Sequence, residues 1–265
     1  MKPLTTDGPD NRHTASVPLA DSGTKLHEDG TFSVWQNDQY RWVQDGDAIQ
    51  SVMARDNPAD LVLPNHRYMF VALALADIRP DSSKKILNLG FGLGAIERKL
   101  SASFPNIITT SVEAAAVMVE LAKQYFFIPP DCNIEVVEAE TFIAETDEKF
   151  DLAFIDLFAQ SKNAPCVYER EFYRQLKQCL TIDAWLSLNV IPANETDLLA
   201  VLLPLREHFR HVAMAKIPQR ENIVLVATNS ADCDLKKPAQ GLAAFGFDVR
   251  ELLDEFTLLP PAGRD

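Results

Sequence analysis

Apolar positions fall into two regimes along this chain of 265 residues. Up to about residue 54 they form short aromatic and β-branched runs: Phe32-Ser33-Val34-Trp35-Gln36, Tyr40-Arg41-Trp42-Val43 and Ala48 to Met53. Asn37-Asp38 and Asp45-Gly46-Asp47 separate these runs, and such residues adopt tight hairpin turns, so a small antiparallel element of three strands is predicted. Residues 1 to 30 are rich in Thr, Asp, Gly, Ser and Pro and lack periodicity, which predicts a flexible arm. The loop Pro58 to Pro64 leads into a helix from Asn65 to about Ile78. Its apolar density, with Tyr68, Met69, Val71, Ala72, Leu75 and Ala76, demands packing under a sheet rather than one exposed face.

From Lys85 onward, strand and helix alternate, the signature of a mostly parallel sheet. The first strand is Lys85 to Leu89, followed by Gly90, Gly92 and Gly94 and a helix carrying Leu93, Ile96, Leu100 and Phe104 at helical spacing. The second strand, Ile107 to Val112, ends on Glu113, and a helix from Ala114 to about Phe126 stops before Pro129-Pro130. The third strand is Ile134 to Val137, and a short helix starts near Thr141. The fourth strand is Phe150 to Ile155, ending on Asp156. A helix from Glu169 to Leu180, a fifth strand from Trp185 to Ile191 and a helix from Glu195 to His208 follow. Val212 to Ile217 and Ile223 to Ala227 read as adjacent strands forming an antiparallel edge, and the tail after Asn229 carries one helix, Val249 to Phe256.

Composition narrows the partners. With 47% hydrophobic and 24% charged residues, the chain is an ordinary globular protein rather than a disordered one. The formal charge of −13 would repel a phosphate backbone, and no basic stripe offsets it, so nucleic acid is excluded as the expected partner. The acidity serves solubility, and it also suits attraction of a cationic substrate. Cys132, Cys166, Cys179 and Cys233 show no paired C-x-x-C spacing, so neither a metal site nor a disulfide framework is expected, and a reducing cytoplasmic setting fits. The longest apolar run, Tyr68 to Ala76, is far below the ~20 residues that span a bilayer, so no membrane partner is expected.

In an open α/β sheet, ligands bind beyond the carboxyl ends of the strands. Gly90, Gly92, Gly94, Glu113, Glu140, Asp156 and Asn189 all stand on that predicted rim. A glycine triplet alone is weak, because glycines also serve turns and close helix packing. Glu113, 23 positions after Gly90, strengthens it: a carboxylate at the end of the second strand can accept hydrogen bonds from both hydroxyls of an adenosine ribose. The spacing is Gly-x-Gly-x-Gly and no basic residue stands nearby for a pyrophosphate, which favours a sulfur-bearing nucleoside such as S-adenosylmethionine over a dinucleotide.

Asp156 is the candidate catalytic residue, because a nearly continuous apolar run delivers one carboxylate to the rim; its competing role is a helix cap or loop anchor. Glu140 either accepts a hydrogen bond from an adenine amino group or simply sits in a first helical turn, where negative charge is favoured. Asn189, His66 and Tyr168, taken singly, read as structural.

Together these residues resemble the spermidine synthase family, the polyamine aminopropyltransferases, from about Phe32 to Ala227. The resemblance rests on Asp45-Gly46 with Gln50, the glycine loop, Glu113, Phe150-Asp151 through Asp156, and Tyr168 through Phe172-Tyr173 with Leu176-Lys177. It implies an α/β fold with a Rossmann-like, methyltransferase-type sheet whose last strand is antiparallel, preceded by a small N-terminal β element. The divisions expected are residues 1–30, 31–64, 65–229 and 230–265. It also implies transfer of an aminopropyl group from decarboxylated S-adenosylmethionine to a small amine. Asp156 is then the base and Tyr168 and Gln50 line the pocket, while Glu113 and Glu140 hold the nucleoside. Such N-terminal regions often pair subunits into dimers.

The chain departs from the family at several acids: Ala159 replaces a second aspartate, Leu93 replaces the aspartate of the glycine loop, and Ala54-Arg55-Asp56-Asn57 lacks the Asp-Glu pair. The Tyr-His-Glu segment is represented only by Asn65-His66-Arg67. An S-adenosylmethionine-dependent methyltransferase and a non-catalytic binding module therefore stand beside the aminopropyltransferase reading.

Overall fold

Short-range turn chemistry and long-range apolar burial divide the labour in this chain. The computed structural model describes residues 23–46, 48–159, 162–231, 233–236 and 242–260. At the N-terminal end four strands run β1 (Thr24–Asp29), β2 (Phe32–Gln36), β3 (Tyr40–Asp45) and β4 (Ala48–Ala54), paired antiparallel in that order. The predicted β element thus has a fourth member, and the arm expected over residues 1 to 30 gives way to strand at Thr24; residues 1–22 lie outside the described residues. Thr-Lys-Leu-His-Glu-Asp lacks apolar alternation because β1 is an exposed edge strand, held by backbone pairing to β2 rather than by side-chain burial. Between β2 and β3, Asn37 Oδ1 accepts hydrogen bonds from the backbone N–H groups of Gln39 and Tyr40, the local cause of the hairpin.

Helix α1 (Pro64–Leu75) follows, with proline in its first turn where no intrahelical donor is lost. It ends before the expected Ile78 because Asp77 takes a left-handed conformation (φ 50°) and the Ile78 N–H turns back to the Leu73 carbonyl. The remaining elements are β5 (Lys85–Leu89), α2 (Ala95–Ser103), β6 (Ile108–Glu113), α3 (Ala116–Tyr125), β7 (Asn133–Val136), α4 (Ala139–Glu145) and β8 (Phe150–Ile155). After them come the short pair β9 (Phe158–Ala159) and β10 (Lys162–Asn163), a 3₁₀ turn at Pro165–Tyr168, α5 (Arg170–Cys179), β11 (Leu180–Val190), α6 (Glu195–His208), β12 (His211–Lys216) and β13 (Ile223–Thr228). A 3₁₀ turn (Leu242–Phe245), α7 (Val249–Asp254) and β14 (Thr257–Leu258) complete the described chain.

The main sheet has eight strands in the order β14-β12-β13-β11-β8-β5-β6-β7. β5, β6, β7, β8 and β11 are parallel, whereas β13 is antiparallel to both β11 and β12. The expected antiparallel pair is present, but β13 is interior to the sheet and not at an edge; β14, from the tail, covers β12 instead. Every residue of β13 is buried, as a strand covered on both faces requires.

One apolar layer joins the sheet to α4, α5 and α6, and a second joins it to α1, α2 and α7, giving three layers. Phe70 of α1 stacks on Phe154 of β8 at 5.2 Å between ring centroids. The tail is part of this second layer: Val249 and Phe256 are buried in it, and the Tyr68 hydroxyl donates to Glu255 at 2.6 Å. A third cluster couples the N-terminal sheet to the main sheet, since Val34, Val43 and Met53 pack with Phe91, Leu93, Met118 and Ala122. The small sheet therefore sits over the glycine loop and α3.

Candidate active site

The carboxyl ends of β5, β6 and β8 meet beneath the N-terminal sheet and enclose a cavity of about 230 Å³. Gly90, Phe91, Gly92, Glu113, Ala115, His66, Asp156 and Phe158 line it from the main domain, and Phe32, Asp45, Gln50 and Ser51 line it from the small sheet. Gln50, the glycine loop, Glu113 and Asp156 are brought together, so the N-terminal sheet forms one wall of the site.

Glycine is obligatory at position 90. Its φ of 95° disfavours any side chain, and a Cβ there would lie 2.2 Å from the Asp156 carbonyl oxygen, because the chain leaving β5 crosses against the chain leaving β8. Gly92 faces open space and donates its N–H to Glu113 Oε2 at 2.8 Å. Gly94 starts α2 and serves packing, with a Cβ position 2.3 Å from Ile128 Cδ1.

Glu113 is held from both oxygens, since Oε1 accepts from the Ala115 N–H at 3.0 Å. Burial pushes its pKa above the ordinary carboxylate value; hydrogen bonds from the Ala115, Gly92 and Ala114 N–H groups oppose that shift, and the charge of Glu138 adds to it. A carboxylate with both oxygens oriented by backbone donors keeps free lone pairs in fixed directions, the arrangement a ribose diol requires.

Asp156 follows β8, and its backbone N–H donates to the Leu89 carbonyl. Its Oδ1 accepts from Asn189 Nδ2 at 2.8 Å, and its Oδ2 stands 3.3 Å from His66 Nε2. Asn189 Oδ1 in turn accepts from Asn222 Nδ2 at 3.0 Å. Four elements thus contribute to one polar chain: β8, the end of β11, the first turn of α1 and the approach to β13. Each Asp156 oxygen contacts one side chain and neither caps a helix, which leaves Oδ2 a lone pair toward the cavity.

Asn189 and His66 accordingly belong to the site constellation, and Asn222 joins them. The signal for Asn189 lies in Leu186-Ser187-Leu188-Asn189-Val190, where a buried amide interrupts a central apolar strand and must find a partner. Nothing local marks Asn222, because a turn asparagine is ordinary until topology delivers it to the rim.

Two expected site residues lie elsewhere. Glu140, in the first turn of α4, lines a separate groove of about 540 Å³ with Cys166 and Phe172, and its carboxylate helps to push the Cys166 thiol, already raised by burial, up to about 12. Glu138, two residues earlier and at the N-cap of α4, is the carboxylate that Glu113 senses. Tyr168 is half-buried and accepts a hydrogen bond from Asn163 Nδ2 at 2.9 Å, while Asn163 Oδ1 accepts from the Ile191 N–H. Burial raises the Tyr168 phenol, with Asp197 adding to the shift, and the ring stands beside α6 rather than on the cavity wall.

Among the described residues, the cavity lining carries Asp45, Glu113 and Asp156 and no Lys or Arg. The side chain of Asp45 makes no hydrogen bond or ion pair among the described residues. Such a site favours a cation and opposes a phosphate. Among the described residues, no group of three His, Cys, Asp or Glu side chains is placed to hold a metal ion, and no helix is long and apolar enough to cross a membrane.

No family model matches the chain. A polyamine aminopropyltransferase of Neisseria meningitidis serogroup A is 26% identical over 225 residues, covering 78% of this chain and 81% of that protein. A probable spermidine synthase from Corynebacterium glutamicum superposes with a TM-score of 0.73 at 18% identity, covering 90% of this chain and 91% of the other. Human methyltransferase-like protein 13, in complex with SAH, superposes with a TM-score of 0.62 at 21% identity, covering 76% and 94%. In sequence the chain is similar to polyamine aminopropyltransferases, and in fold it is similar to a spermidine synthase and to a methyltransferase-like protein.

Proposed function

We propose that the protein is a transferase that alkylates a small amine with an adenosyl sulfonium, decarboxylated S-adenosylmethionine, and that Asp156 is its base. The observation that carries this reading is the cavity itself: three carboxylates and no cation, with Asp156 anchored on one side and Glu113 on the other. A sulfonium and an ammonium are both cations, and neither requires the phosphate-binding donors that the cavity lacks. The relationship to polyamine aminopropyltransferases supports the same chemistry.

A primary ammonium has no lone pair, so it must lose a proton before it attacks. Asp156 Oδ2 takes that proton while the amine nitrogen forms a bond to the carbon beside sulfur and the carbon–sulfur bond breaks. The sulfur leaves as the neutral thioether, methylthioadenosine. Asn189 fixes Oδ1 so that Oδ2 is the oxygen presented, and His66 steadies it from the α1 side. Glu113 holds the ribose, Gln50 closes the wall above it, and the glycine loop lets the nucleoside approach the backbone.

Methyl transfer from S-adenosylmethionine is the second reading, supported by the likeness to human methyltransferase-like protein 13 and by Leu93, which leaves the glycine loop without a carboxylate. Calorimetry with decarboxylated S-adenosylmethionine, S-adenosylmethionine and methylthioadenosine separates the readings. Preference for the decarboxylated ligand is expected; preference for the carboxylated one moves the protein to methyl transfer. Binding of none of the three leaves a non-catalytic module. The reading includes a cytoplasmic setting and a dimer paired through the N-terminal sheet, which sedimentation would test.

A further inference from the structure

Beneath the glycine loop, away from the cavity, three polar side chains are buried together: Asn88 of β5, Glu97 of α2 and Ser111 of β6 are 0%, 2% and 0% exposed. Glu97 Oε1 accepts from Asn88 Nδ2 at 2.6 Å and from the Ser111 hydroxyl at 2.6 Å. The other oxygens of the linked pair, Glu97 Oε2 and Asn88 Oδ1, have no partner. Two acceptors without a donor, on side chains already joined by one hydrogen bond, mark a missing proton. Both are satisfied if that proton resides on Oε2.

We propose that Glu97 is a neutral carboxylic acid that closes a ring of two hydrogen bonds with the Asn88 amide, fixing β5 to α2 across the glycine loop. The acid donates from Oε2 to Asn88 Oδ1 and accepts at Oε1 from Asn88 Nδ2. Asn88 stands two positions before Gly90 and Glu97 three after Gly94, so the pair holds both ends of the loop whose Gly92 N–H orients Glu113. Glu97 is a positioning residue.

The surroundings favour the neutral form. Burial is the largest influence on Glu97 and raises its pKa, more than the hydrogen bonds from Ser111 and Asn88 lower it. Neighbouring Arg98 contributes least, since its guanidinium donates to the carbonyls of Pro58, Leu93 and Phe126. Cys132 is the remaining titratable group close by; burial foremost, then Glu97, raise its thiol to about 12. An ionised Glu97 here would be a buried charge without a matched cation.

Glu97→Gln tests the assignment, because an amide reproduces the donor and the acceptor of a carboxylic acid but has no proton to lose. Wild type and variant are unfolded thermally across a pH series that begins below 4.5, the ordinary carboxyl value. A raised folded-state pKa contributes stability that is complete below the unfolded value and lost as pH rises. Wild type is therefore expected to lose Tm relative to Glu97→Gln with increasing pH, and infrared difference spectra of the two are expected to contain a protonated carboxyl band from wild type. A Tm difference that is flat or moves the other way, a missing band, or a Glu97→Gln chain that does not fold overturns the proposal. Affinity for methylthioadenosine supplies the positional readout: Glu97→Leu is expected to lose at least about tenfold and Glu97→Gln to retain it. Failure of wild type to bind methylthioadenosine at all would count against the proposed reaction, while the pH series still decides the state of Glu97.

Discussion

The Asn189 amide donates to Asp156 Oδ1 at 2.8 Å, and Asn222 holds the opposite end of that amide at 3.0 Å. Residues at the carboxyl ends of the neighbouring strands β8 and β11 are thereby fixed as one unit, and the orientation of the Asp156 carboxyl is set by Asn189, which does not line the cavity.

Removal of the proposed base, Asp156, is the first test. Asp156→Asn keeps the shape of the chain and removes the proton acceptor, so turnover is expected to fall by about 10²- to 10⁴-fold while methylthioadenosine binding survives. Asn189→Ala leaves Asn222 Nδ2 and Asp156 Oδ1 without their partner, which is expected to cost about 1–3 kcal/mol of stability and to lower kcat more than it raises KM. Steady-state kinetics with denaturant melts measure both, and retained turnover in Asp156→Asn would end its assignment as the base.

On the proposed reading, Glu113 makes nucleoside binding dependent on pH. The ribose hydroxyls require its ionised form, and burial raises its pKa above the ordinary 4.5. Affinity for methylthioadenosine is therefore expected to weaken as pH falls through that raised value, and Glu113→Gln should bind weakly at every pH. Calorimetric titration across the acidic range checks the sign; affinity rising toward acid would contradict it.

Gly90 and Gly92 separate packing from conformation. Gly90→Ala drives a methyl group into the Asp156 carbonyl and is expected to unfold the rim or fail to accumulate as folded protein. Gly92→Ala meets open space and carries only the left-handed backbone cost of about 1–2 kcal/mol. Equal melting temperatures for the two variants would refute the crossing of β5 and β8 as the reason for Gly90.

Asp45 supplies a carboxylate from the wall opposite the glycine loop, with no protein partner among the described residues. Replacing it by Asn is expected to weaken decarboxylated S-adenosylmethionine by about tenfold, close to 1.4 kcal/mol, while methylthioadenosine, which lacks the ammonium, binds unchanged. An equal effect on both ligands would assign Asp45 to the wall alone.

Strands buried on both faces were legible as strands because Phe-Asp-Leu-Ala-Phe-Ile and Ile-Val-Leu-Val-Ala-Thr are short apolar runs bounded by polar turns. β1 was not, since an edge strand is specified by its partner's backbone and leaves no apolar pattern. The interior position of β13 was equally hidden: local pattern reports that two strands are adjacent, and the third strand that inserts beside them is a matter of topology. Asp156 stood out because it ends an apolar run, and Glu113 because it is the carboxylate that closes the strand after the glycine loop. Glu138 and Glu140 could not be ranked by that rule, because α4 begins at Ala139, before the predicted Thr141, which leaves Glu138 at the N-cap, where its charge reaches Glu113, and Glu140 in the first turn beside the other groove.

β13 runs against its neighbours, and this reversal gives the sheet edge a second kind of contributor. Parallel strands offer the rim their last residues, whereas an antiparallel strand offers its first, so the hairpin from Ile217 to Ile223 arrives where the others depart. The polar chain that ends on Asp156 is therefore anchored from an arriving strand as well as from departing ones, because Asn222 in that turn holds Asn189 and Asn189 holds the carboxylate.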